Sequence, residues 1–126
     1  MPSRGFARVD RFGNLVASQG VVGIRNAVHL SATGIEERPV TFGASCFKLD
    51  FRPVTVIATS IAHPDETAFG PILYTAGPNI SGPLATDNNG KAIGCPAGFE
   101  DAAVVGRVTA GEGLRFPQGG FFVIFD

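Results

Sequence analysis

The segment IAHPDET, residues 61–67, contains the side chains in this sequence best suited to acid–base or metal chemistry. His63, Asp65 and Glu66 stand close together there, and imidazole and carboxylate groups both bind metal ions and transfer protons. A His-Pro-Asp run is also typical of a turn between strands, and the second histidine, His29, is distant in the sequence. We interpret the segment as a turn and predict no catalytic residue, metal or cofactor. An enzyme built on the three side chains is the alternative.

The two cysteines are the other candidates for chemistry. Cys46 begins the segment CFKLDF, and Cys95 lies in a Gly-Cys-Pro-Ala-Gly loop. A disulfide between them would close a loop of about 50 residues and stabilise the fold by up to ~4 kcal/mol. Neither cysteine belongs to a Cys-x-x-Cys pair that would indicate a metal site. We favour the disulfide, and the alternatives are a thiol activated by a histidine and two unrelated buried thiols.

Composition bears on the partners of the chain. Charged residues are 17% of the sequence, against about 25% in ordinary soluble domains, and the net charge is −1. No overall field therefore attracts nucleic acid or an anionic membrane. The sequence has no apolar run long enough to span a membrane and no signal-peptide core. We expect the weakly charged surface to be partly buried in an assembly, although an uncharged polar surface would also account for it.

Strand signals dominate the 126 residues. Seventeen glycines and nine prolines interrupt short segments rich in Val, Ile, Phe and Thr, which favour β-structure over helices. Residues 5–18 predict a hairpin turning at Gly13-Asn14, and residues 20–32 predict one strand, bulged or broken at Gly23. The sequence as a whole predicts a single all-β domain, an antiparallel β-sandwich of jelly-roll type with about seven to nine short strands.

The alternation in CFKLDF has a consequence for Cys46. Phe47, Leu49 and Phe51 share one face of the predicted strand, so Cys46 lies on the opposite face with the charged side chains. This position argues mildly against a disulfide, unless the first residue of the strand bulges.

The last strand, FFVIFD, is apolar at five successive positions, so both of its faces require cover. It is expected to be a central strand, or to place its second face in a subunit contact. The candidate interface residues are Phe121, Phe122, Val123, Ile124 and Phe125.

Exposed loops are predicted at residues 63–70 and 77–98, and loops of this kind carry most recognition sites. Their polar side chains are the candidates for binding a ligand or receptor: His63, Asp65, Glu66, Asn79, Asp87, Asn88 and Asn89.

Several motifs occur in a characteristic order along nearly the whole chain. They are FARVDRFGNLVASQGVV, CFKLDF, PVTVIATSIA, Cys95-Pro96-Ala97-Gly98 and GGFFVIFD. In this order they resemble small β-rich modules of actinobacterial surface and secreted proteins, often C-terminal, and of actinophage tail-fibre-like proteins. The resemblance implies that Cys46 and Cys95 pair, and it carries no catalytic residues.

These observations predict a non-enzymatic structural module that self-associates or decorates a larger particle such as a phage capsid or tail. Analogy with fibre heads implies a homotrimer at a virion or extracellular surface, with no nucleic acid or membrane as partner. The alternative is an extracellular module that binds a ligand or receptor such as a cell-surface glycan. With eleven phenylalanines, one tyrosine and no tryptophan, the sequence has few of the amphipathic rings that stack on sugars.

Overall fold

A computed structural model describes residues 4–10, 13–30, 36–39, 44–60, 72–86, 90–108 and 120–126. These residues form an all-β fold of twelve short strands that pair antiparallel, which confirms the predicted fold class. The number of strands is larger than the seven to nine predicted. The strands are β1 (Gly5–Val9), β2 (Leu15–Gln19), β3 (Val21–Asn26), β4 (Val28–Leu30), β5 (Glu36–Pro39), β6 (Ala44–Leu49), β7 (Val56–Ser60), β8 (Ile72–Pro78), β9 (Ala85–Thr86), β10 (Ala92–Gly94), β11 (Ala102–Val108) and β12 (Phe121–Phe125).

Two four-stranded sheets pack face to face around the main core. The first sheet has the strand order β2-β1-β12-β7, and the second has the order β3-β6-β11-β8. Phe47 of the second sheet lies at the centre of this core. Its ring makes edge contacts with Phe121 and Phe125 of the first sheet, with ring centroids 6.5 and 5.1 Å away. Edge-to-face packing of aromatic rings adds to the stabilisation gained by burying them.

Six of the strands are arranged as in a jelly roll. The chain changes sheet between β6 and β7, between β7 and β8, and between β11 and β12. β12 lies between β1 and β7, and β11 lies between β6 and β8, with every pair antiparallel. The predicted jelly-roll-like sandwich is therefore present.

The central strands of the second sheet, β6 and β11, are buried on both faces because a third layer covers the side turned away from the first sheet. Ala44, Cys46, Ala103 and Val105 form that second face and pack into a separate core. The third sheet, with the order β5-β4-β10-β9, contributes Ile93 to it. The rest of the cover comes from Ala27 and from the half-buried side chains Ile80, Leu84, Cys95 and Phe99.

Local structure follows the sequence prediction in the first hairpin and departs from it where strands pair over long distances. β1 pairs with β2 as expected, and a register shift between Val21 and Gly23 forms the predicted bulge. The strand predicted for residues 20–32 divides at Ala27, where the chain leaves the second sheet for the third. The loop predicted for residues 77–98 contains β9, β10 and the end of β8, because β10 pairs with β4, which is remote in sequence.

Candidate functional site

The outward side of the first sheet is the most distinctive surface of the described residues. Ala7, Val9, Phe121, Val123 and Phe125 point into the core, so the alternate residues of these strands point away from it. Cross-strand pairing aligns the outward residues in two rows. One row contains Gln19, Phe6, Ile124 and Ile57, and the other contains Ala17, Arg8, Phe122 and Thr59. We call these eight residues the outer face.

The outer face is apolar where a solvated sheet face is normally polar. The rings of Phe6 and Phe122 stack on it with centroids 5.9 Å apart, and Ile124 lies beside Phe6 in the cross-strand register. Ile57, on the edge strand β7, leaves 57% of its surface exposed. Arg8 is the one charged residue among the eight. Such a cluster is typical of a surface that contacts another protein.

A third row lies next to the row of Phe6 and Ile124, on the side away from Arg8, and contains a second charged residue, Asp126. Asp126 follows β12 and continues its pairing with β7, because the backbone amide of Thr55 donates to the carbonyl of Asp126 and the amide of Asp126 donates back, both at 2.9 Å. Since side chains alternate along a strand, Asp126 lies on the same side of the sheet as Ile124. Arg8 and Asp126 therefore stand on opposite sides of the apolar row.

The structure narrows the interface predicted for the last strand. Phe121, Val123 and Phe125 are buried in the core of their own chain, because their side chains face the second sheet. They are not available to a partner, and only Phe122 and Ile124 of the five candidates lie on the outer face. Phe6 and Ile57, which flank Ile124 on the outer face, were not among the residues predicted from the sequence. The alternation in GFARV, with small Ala7 between Phe6 and Arg8, is the signal that could have identified Phe6.

Cys46 and Cys95 form a disulfide, as the resemblance implied, with their Cα atoms 5.7 Å apart. Cys46 lies on the face of β6 opposite Phe47 and Leu49, as the alternation in CFKLDF predicted. That face is buried beneath the third layer, where Cys95 follows β10. The bond therefore links the middle sheet to its cover, and no bulge at Cys46 is needed.

A cleft of about 510 Å³ opens at one end of the second sheet, where the chain leaves β6 and β8 and enters β11. Polar side chains line much of it, including Asp50, Arg52, Asn79, Ser81 and Glu100. Of the loop candidates for binding, Asn79 lies in this cleft and is exposed. The volume of the cleft is within the range of small-molecule binding sites.

Hydrogen bonds hold the walls of the cleft. Arg52 donates from Nε to Oδ1 of Asn79 at 3.0 Å, and Nδ2 of Asn79 donates to the carbonyl of Pro53 at 3.1 Å. The Asp101 carboxylate accepts from the backbone amide of Leu49 at 2.8 Å. These bonds form within the chain itself, so the cleft has a defined shape without a ligand.

The aromatic residue that lines the cleft, Phe51, packs against other groups of the chain. The guanidinium carbon of Arg4 lies 4.7 Å from the ring centroid of Phe51, and the ring edge lies close to Gly5 and Gly20. The cleft therefore offers hydrogen-bonding groups rather than an open ring on which a sugar could stack.

The remaining predicted loop residues, His63, Asp65, Glu66, Asp87, Asn88 and Asn89, lie outside the residues that the structure describes. Within the described ranges, no cluster of three or more His, Cys, Asp and Glu side chains is arranged to hold a metal ion. No helix in the same part of the chain is long and apolar enough to cross a membrane.

Comparison of the chain with protein-family models, with curated proteins and with solved structures gave no match.

Proposed function

We propose that this protein is a non-enzymatic structural module that associates with copies of itself through the outer face. The observation that carries the proposal is the apolar row of Phe6, Ile124 and Ile57 on the outward side of a sheet. A face that stayed in water would carry polar residues at these positions. Ile57 is 57% exposed, and burying a whole isoleucine side chain contributes about 1.5–3 kcal/mol, so covering the exposed part of Ile57 alone contributes about 1–2 kcal/mol.

The disulfide and the resemblance described above both support a location for the protein outside the cell or on a virion. A buried disulfide persists in oxidising surroundings such as the cell exterior or a virion surface. The resemblance to tail-fibre-like modules supports a place on a phage capsid or tail, and it implies a trimer.

Light scattering coupled to size exclusion tests the proposal. Wild-type protein should have the mass of a discrete oligomer at concentrations of about 100 μM, and Ile57→Lys should shift it to the monomer because a buried lysine charge is costly. Val22→Lys is the matched control, since Val22 is 61% exposed on β3, outside the outer face. A wild-type monomer at 1 mM, or an oligomer that Ile57→Lys leaves intact, would contradict the proposal.

The cleft supports a second candidate function, the binding of a small polar ligand such as a cell-surface glycan. Arg52, Ser81 and Glu100 offer donors and acceptors that could bond to hydroxyl groups. The test is a glycan array probed with wild-type protein, Arg52→Ala and Val22→Lys. Binding lost only in Arg52→Ala would support this function, whereas no signal from wild-type protein across neutral, acidic and amino sugars would eliminate it.

A further inference from the structure

We infer that the partner on the outer face is a second copy of this chain, packed face to face with its strands running in the reverse direction. This inference rests on the proposed function and specifies the geometry of its interface. It predicts a two-fold dimer as the unit of association, in contrast to the trimer that the resemblance implies.

The distribution of charge on the first sheet supports a reversed arrangement. The central row, Phe6, Ile124 and Ile57, carries no charge. Arg8 stands one row away in one direction along the strands, and Asp126 stands one row away in the other. Asp10 follows β1 beyond Arg8 on the same side, and its carboxylate accepts from the backbone amide of Asn14 at 2.9 Å. The charge next to the apolar row is therefore positive, from Arg8, in one direction and negative, from Asp126, in the other.

Self-association through this surface depends on the direction of the second copy. Suppose first that the strands of both copies run in the same direction. The row of Arg8 in one copy would then face the row of Arg8 in the other, and the two rows that contain Asp126 would also face each other. Like charges would then be brought together, which is unfavourable when an interface excludes water. Reversing the second copy keeps the apolar rows in contact and places the row of Arg8 opposite the row of Asp126, twice by symmetry. Arg8 and Asp126 of the two copies then lie on neighbouring strands across the interface.

Arg4 does not remove this complementarity, although it precedes β1 on the same side of the apolar row as Asp126. Its guanidinium group lies over the ring of Phe51 and donates to the carbonyl of Arg52 at 3.1 Å. Asp126 is therefore the charge that this row presents to a facing surface.

The outer face is small for a protein interface. Four strands at a spacing of about 4.8 Å give a width of about 15 Å, so the contact is at the small end of specific protein interfaces. We expect a dimer that dissociates in the micromolar range, which sedimentation velocity measures directly.

A charge exchange across the interface tests the arrangement. Arg8→Glu and Asp126→Lys should each raise the dimer dissociation constant about tenfold or more, because each single change brings like charges together. The double variant, which exchanges both charges, should return to within about threefold of wild type. Arg8 and Asp126 are both exposed, and circular dichroism melting of every variant checks that the fold is retained.

The possible outcomes separate this inference from the proposed function. Recovery in the double variant supports the reversed dimer. An oligomer that Ile57→Lys dissociates but that the double charge exchange does not restore, or an oligomer with the mass of a trimer, overturns the reversed pair and leaves self-association through the outer face in place. A wild-type monomer at 1 mM overturns both.

Discussion

Asn79 combines an unfavourable backbone conformation with two hydrogen bonds made by its side chain. Its φ of 51° lies in the left-handed region, which costs most residues about 1–2 kcal/mol and asparagine less. The side chain compensates by accepting from Arg52 and donating to Pro53. The residue therefore connects the segment after β6 to the segment after β8 at the cleft.

Substitutions at Asn79 should separate these two contributions. Asn79→Ala loses both side-chain bonds and keeps the unfavourable φ, so we expect the free energy of unfolding to fall by about 3 kcal/mol. Asn79→Gly loses the same bonds but adopts this φ freely, so the loss should be about 1–2 kcal/mol. Urea unfolding monitored by circular dichroism measures both. Equal losses in the two variants would show that the backbone conformation carries no penalty.

Cys46 shows what could be predicted for a single residue. The alternation of CFKLDF correctly placed Cys46 opposite Phe47, and the resemblance correctly paired it with Cys95. These two predictions conflicted only because the opposite face was taken to be solvated. Periodicity identifies which residues share a face, but it contains no information about the elements that cover the face.

β12 illustrates the same limit for a complete strand. Five successive apolar residues correctly predicted an inner strand, yet they could not show that the chain's own core takes Phe121, Val123 and Phe125. β9 and β10 were assigned to a loop because they are two and three residues long. Strands this short are defined by their pairing, β10 with the distant β4 and β9 with β10, so their own residues carry little signal.

The two faces of β12 should respond differently to truncation. Val123→Ala removes two buried methyl groups from the core, and we expect the free energy of unfolding to fall by about 2 kcal/mol. Ile124→Ala acts on the outer face, so it should cost the monomer no more than about 1 kcal/mol while raising the dissociation constant for self-association. Denaturant titration in dilute solution and sedimentation velocity measure the two effects separately. Equal destabilisation by both changes would contradict the assignment of Ile124 to an outward position.

The described residues form three layers, and the disulfide joins the second to the third. The first and second sheets share a large core with aromatic residues at its centre. The core between the second sheet and its cover is smaller, and alanines make up half of its fully buried residues. The cross-link therefore reinforces the weaker of the two contacts between layers.

Removal of the disulfide should affect the layers unequally. Replacing both Cys46 and Cys95 by alanine should lower the free energy of unfolding by up to ~4 kcal/mol, since the bond closes a long loop of chain. Hydrogen exchange followed by mass spectrometry should then show the largest loss of protection at β10 and residues 95–99, with β1 and β12 least affected. A uniform loss of protection would show that the three layers open as one unit.

The pairing of β1 with β12 determines how the module can be attached to other polypeptides. Gly5 lies opposite Phe125 in the register of the first sheet, so residues 4 and 126 are neighbours at the same end of the sandwich. A polypeptide joined before residue 4 and another joined after residue 126 would both start from that end. The module can therefore be grafted into a surface loop of a host protein through two short connections, or carried at the tip of a stalk with the outer face turned sideways to the stalk axis.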